Sequence, residues 1–195
     1  MNDFFLAKNA TLTLNYNNQD FEVRQVQVKD FDLWLSVAEE VKNLVDTKNY
    51  SDEFLQSLFE QAPIQCLQLV SIVTDIPEQL MLDCILPALK LVLTVNEAFF
   101  HEQAEKQKSS RGRRNQQSTS DESSWFDLFQ LLVRYGHSHE SIMNMSYGTF
   151  KKYVSACIKQ QKNEALGDLN TMRVAQHADK KGVERYVDSL NITER

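Results

Sequence analysis

The chain has 195 residues, 42% of them hydrophobic and 25% charged, with a formal net charge of -6 at pH 7. That is enough chain for one large domain or two small ones. No apolar run approaches the length of a membrane span, and 5 glycines leave few places where backbone could cradle a phosphate.

The charge is unevenly divided. Residues 1–104 carry 6 Lys/Arg against 16 Asp/Glu, whereas residues 105–195 carry 15 against 11. At the divide, 20 consecutive residues from Glu105 to Ser124 contain no apolar side chain. Such a segment cannot bury enough surface to offset its ordering entropy and predicts a flexible linker. The expected layout is therefore an N-terminal domain at 1–104, a polar linker at 105–124 and a helical extension at 125–195. An acidic first part repels phosphate, while the basic second part leaves nucleic acid open as a partner. Cys66, Cys84 and Cys157 stand alone, without pairing spacing, which fits a reducing cytoplasm. The start, MNDFFLAKNA, has no basic lead and no long apolar stretch, and predicts no secretory signal.

Along the chain, residues 11–28 alternate around the turn-rich Asn17-Asn18-Gln19-Asp20 and predict a β-hairpin. From Asp30, a candidate N-cap, the period becomes helical through Phe31, Trp34, Val37, Val41 and Leu44. A second helix follows Ser51. Pro63 opens a third, Ile64 to Val73, apolar on most faces and hence central. Asp75-Ile-Pro-Glu78 has the form of a capped start. A further helix is expected from near Asp83 to about Gln103, with Asn96 the one polar member of its stripe. After the polar run, Ser124 and Asp127 form a capping box, and Gly136 suits a left-handed C-cap. Ser138 and Ser146 cap two more helices. A weakly amphipathic segment then passes Ala165, Leu169 and Met172, and the chain closes with Val183, Tyr186 and Leu190. The fold class is mainly α, an N-terminal β-hairpin and helical domain followed by a small all-α part.

No enzyme is expected, and no cofactor: there is no P-loop, GxSxG, HExxH or dinucleotide fingerprint. His137-Ser-His139-Glu140 is the best metal candidate, but it lacks a third and fourth ligand at familiar spacing, and a polar turn explains it. The segment Trp125 to Tyr153 has the outline of a helix-turn-helix, with Lys151, Lys152, Lys159 and Lys162 beyond it. Its short helix carries Glu140 and no Lys or Arg, so an ordinary trihelical unit accounts for it equally. Phe99-Phe100 beside Asn96 either caps the core or borders a groove for a partner helix.

The run Phe21-Glu-Val-Arg-Gln-Val-Gln-Val-Lys-Asp-Phe31, the apolar helix Ile64–Val73 and the element Val95-Asn-Glu-Ala-Phe-Phe100 resemble the tail assembly chaperones of long-tailed bacteriophages. Trp125 to Leu132, Tyr135-Gly-His-Ser138, Ile142, Met145-Ser146 and Arg173-x-Ala175 are similar to the C-terminal extension of their longer, frameshift-type forms. The resemblance runs from about Phe21 to Leu190 and lies in organisation more than in any single motif. It implies a non-enzymatic protein of the host cytoplasm, absent from the mature virion, that binds the tape measure protein and recruits tail tube subunits. Self-association is also compatible with it. The residues expected to bind are Leu93, Asn96, Phe99 and Phe100 in the first part and Trp125, Tyr135 and His137 in the second. Asn96 would hydrogen-bond a bound helix and the aromatics would supply contact area. The alternative is a helix-turn-helix DNA-binding regulator with an acidic oligomerisation domain.

Overall fold

The computed structural model describes residues 5–6, 8–45, 49–101 and 124–191. Apart from Ser124, the polar segment 105–124 lies outside them. The protein is mainly α, with an N-terminal β-hairpin.

Strands β1 (Leu12–Tyr16) and β2 (Gln19–Val23) pair antiparallel, with Leu14 opposite Phe21 and Leu12 opposite Val23. The turn is the two residues Asn17 and Asn18, at φ 52 and 61. Positive φ at both positions is what a tight hairpin with the natural strand twist requires, and asparagine tolerates it. The alternation in 21–28 predicts a strand running to Val28, but β2 ends at Val23. Phe21, Val23 and Gln25 are buried, and then the parity shifts to Val26 and Val28. The shift marks where the chain leaves its hairpin partner and turns to others. Arg24 N donates to Val73 O at 2.9 Å, Val28 N donates to Met145 O at 2.9 Å, and Tyr147 N donates to the Val26 carbonyl at 2.9 Å.

A short 3-10 turn, Val28–Asp30, leads into α1 (Phe31–Leu44). Asp30 precedes α1 without capping it, and its carboxylate lies 3.8 Å from Arg24 instead. Ser51 does cap α2 (Asp52–Gln61), accepting from Phe54 N, and Pro63 opens α3 (Pro63–Val73). Helix α3 packs against α1 on one side and α5 (Ile85–Val95) on the other. It is not apolar-buried all round, since Ile64 is 65% exposed. Between them, α4 (Glu78–Met81) has no side-chain cap. Asp75, expected to cap it, accepts the Glu22 amide at 2.8 Å and fastens the hairpin to the end of α3.

The expected long helix from Asp83 to Gln103 is interrupted. Helix α5 ends at Val95, Asn96 stands at φ -101 and ψ 25, and α6 (Glu97–Phe100) continues from it. The asparagine side chain competes for the ladder, donating to Val92 O at 3.0 Å, as short polar side chains do within helices.

Beyond Ser123 come α7 (Trp125–Arg134), α8 (His139–Met143), α9 (Tyr147–His177) and α10 (Lys180–Asn191). The Ser124–Asp127 capping box is formed, and Gly136 has φ 93. Ser138 and Ser146 accept from Ser141 N and Thr149 N. The two amphipathic segments expected after Ser146 are one helix of 31 residues. Nothing between Gln160 and Leu169 breaks it except Gly167, which a helix tolerates at a cost of about 1 kcal/mol.

The chain divides into compact units 1–153 and 154–195, with the division inside α9. Residues 125–153 belong with the hairpin and α1–α6. Asn9 Nδ2 donates to Asn144 O at 2.9 Å, Ser146 N donates to Asn9 Oδ1 at 2.9 Å, and Thr149 Oγ1 donates to Leu6 O at 2.6 Å. Helices as short as α7 and α8 cannot bury their apolar faces on each other alone, and the hairpin and α1–α6 of the same unit supply the missing surface.

Candidate interaction surface

In the first unit an aromatic chain connects the core to the surface. Trp34, with no exposure, meets the rings of Phe99 and Phe100 edge-on at 6.0 and 5.9 Å. Phe99 reaches Phe31 and Tyr147, each at 5.8 Å, and those two rings stack at 4.5 Å. Trp125 follows, 5.0 Å from Phe31 and 5.4 Å from Phe150. Such tilted and edge-on pairs add about 0.5–1.5 kcal/mol each beyond area burial.

The expected binding residues fall into three positions. Leu93, Asn96, Phe99 and Phe100 are buried within the first unit. Asn96 spends both ends of its amide inside the chain, accepting from Val26 N at 2.7 Å and donating to Val92 O. Lys42 Nζ sits 4.3 Å from the centre of the Phe99 ring and covers it. Of the two readings of Phe99-Phe100, the packing is that of a core cap. Trp125 is 39% exposed at the outer end of the chain of rings. Tyr135 and His137 lie at the other end of α7, half-buried, with the His137 ring 4.8 Å from Tyr153.

Two residues outside the expected set complete a surface. Phe126 is 66% and Val133 45% exposed. With Gln130 they lie at i, i+4 and i+7 on the outer face of α7, beside Trp125. The sequence signal is that both are apolar yet fall off the stripe Trp125, Phe129, Leu132 that anchors the helix. A helix apolar on two faces has more apolar surface than its own unit covers.

Elsewhere, the first turn of α9 is enclosed. Ser146, Tyr147, Gly148, Thr149 and Phe150 are all buried. A Cβ on Gly148 would come within 2.8 Å of Leu6 Cδ2. In a helix-turn-helix that turn enters the major groove, and here it carries no free edge. A cavity of about 10 Å³, room for one water, lies beside it between Leu6, Gln25, Asn96 and Tyr147. Among the described residues no group of three His, Cys, Asp or Glu is placed to hold a metal ion, and no helix is long and apolar enough to cross a membrane.

The three thiols are buried and free. Burial pushes the Cys66 thiol up to about 11, and burial likewise raises Cys84 and Cys157. None has the depressed thiol of a nucleophile. No family model, curated protein or solved structure matches the chain.

Proposed function

We propose that this protein is a tail assembly chaperone of a long-tailed bacteriophage. It binds the tape measure protein without catalysis, recruits tail tube subunits in the host cytoplasm, and is absent from the mature virion. The reading rests on the resemblance in organisation and on one observation: the outer face of α7, where Trp125, Phe126 and Val133 stand exposed directly after the polar run. A rigidly anchored helix with a second apolar face suits a groove or ridge for another amphipathic helix. A tape measure protein offers such helices along its length. Leu93, Asn96, Phe99 and Phe100 then hold the scaffold, and the contact passes to Trp125, Phe126 and Val133. An acidic surface on residues 1–104 keeps the complex soluble.

The enclosed first turn of α9 weighs against the DNA-binding alternative, and no other observation favours it. The test is co-expression with the neighbouring tape measure protein. The chaperone raises its soluble fraction, and Phe126→Ser with Val133→Ser lowers it again. A tape measure protein equally soluble with and without this chain removes the proposal.

A further inference from the structure

In the second unit, α9 presents an apolar row that its own unit leaves uncovered. Leu166, Leu169 and Met172 are 60%, 63% and 64% exposed, and Ile158 is 37% exposed. Helix α10 lies on a different face. Thr171 Oγ1 and Tyr186 OH are 2.9 Å apart. At 3.6 residues per turn, Thr171 falls on the side of α9 opposite Leu169.

The row has a register. Ile158, Lys162, Ala165, Leu169, Met172 and Gln176 are spaced alternately four and three apart, the seam of a coiled coil. Ile158, Ala165 and Met172 take d positions, and Lys162, Leu169 and Gln176 take a. One flank of this seam is then Lys159, Leu166 and Arg173, the e positions. The other is Gln161, Asp168 and Ala175, the g positions.

The flanks decide the occupant. In a parallel pair each g residue meets the e residue five places on in the other helix. Asp168 then faces Arg173 of the second copy, twice by symmetry. In an antiparallel pair like flanks meet, so that Arg173 and Lys159 oppose each other and Asp168 opposes Asp168, which is repulsive. Two of the three a positions are polar, Lys162 and Gln176, and polar a residues specify register and oligomer state at a cost in stability. The Lys162 stem covers apolar surface while its ammonium stays in water. We infer that residues 158–176 of α9 form a parallel, two-stranded coiled coil with a second copy of this chain. The inference does not depend on the α7 surface or on the chaperone reading.

Sedimentation equilibrium of the full chain from about 1 µM to about 100 µM tests it. A monomer–dimer equilibrium is expected. Leu169→Glu abolishes it, with helix content checked by circular dichroism. Asp168→Arg and Arg173→Asp each weaken it by roughly 3- to 10-fold, and the double swap restores it. Gln176→Cys gives a disulfide-linked dimer under oxidised glutathione, because parallel pairing sets the two introduced thiols side by side. Antiparallel pairing centred on the seam parts them by about 25 Å. The native thiols are buried and leave the unsubstituted chain uncrosslinked. A chain that stays monomeric throughout overturns the inference, whatever else the face captures. So does a dimer indifferent to Leu169→Glu, a swap that fails to restore, or introduced thiols that never link.

Discussion

The side-chain oxygen of Asn96 accepts the backbone amide of Val26 at 2.7 Å, across 70 residues of sequence. The bond closes a short seam, residues 24–28, whose backbone reaches Val73, Met145 and Tyr147 as well. One asparagine thus ends α5, turns the chain into α6, and pins the extended segment that holds residues 125–153 to the rest of the first unit. The placement of Phe99 and Trp125 in one aromatic chain follows from that pin.

Asn96→Leu should therefore cost stability rather than binding. It fills a buried position but leaves the Val26 amide without a partner, a loss of about 1–3 kcal/mol. Urea unfolding measures it as a lower midpoint at an unchanged slope. A midpoint equal to that of the parent would mean that the amide finds another acceptor. Asn96→Asp keeps an acceptor but loses the donor to Val92 O and introduces a buried carboxylate, so its deficit should grow as pH rises through the carboxyl's titration.

Local chemistry was legible in the sequence, and tertiary pairing was not. Ser51, Ser124, Ser138 and Ser146 cap as their positions predict, because a cap depends on residues within one turn. Asp30 and Asp75 fit the same pattern and cap nothing. Each has been taken by a distant group, Arg24 in one case and the Glu22 amide in the other. The hairpin turn was visible in Asn17-Asn18, but the end of β2 was not, since alternation continues into residues that pair elsewhere. The expected binding residues in α5 and α6 form an apolar stripe beside a polar residue. That pattern cannot distinguish a groove from a core whose polar member is satisfied internally. Burial shows which it is for Asn96, Phe99 and Phe100.

Gly136 ends α7 at φ 93 with open space around its missing Cβ. Any cost of Gly136→Ala is therefore backbone strain alone, about 1–2 kcal/mol. Gly136→Asn should recover part of it, because asparagine tolerates the left-handed region. Thermal unfolding of the three proteins gives the order glycine, asparagine, alanine. Alanine as stable as glycine would mean that the turn relaxes to another conformation.

The α7 surface and the core beneath it should separate in mutagenesis. Phe126→Ser and Val133→Ser change exposed residues and should alter stability by no more than about 0.5 kcal/mol. Phe99→Ala removes a ring that is 2% exposed, and should cost about 3–5 kcal/mol. If the two surface changes abolish solubilisation of the tape measure protein while the unfolding midpoint holds, α7 is the contact. If binding falls only in variants that also unfold, the contact lies elsewhere.

Tyr50 predicts how the protein meets alkali. Burial, with the nearby Glu97 carboxylate second, pushes its phenol from 10.0 up to about 12. Its hydroxyl is 2.9 Å from His101 Nε2. The folded state thus favours the neutral phenol more than the unfolded chain does. This contribution is fully present below pH 10 and is lost as pH rises toward 12, since the unfolded chain ionises first. Tyr50→Phe removes both the ionisation and the hydrogen bond. Near neutral pH it should be less stable than the parent by about 0.5–1.5 kcal/mol. Above pH 10 the gap should narrow, because only the parent loses stability through this group. Unfolding midpoints measured from pH 7 to pH 11 decide it: a gap that stays constant would show that the Tyr50 phenol titrates alike in the folded and unfolded chain.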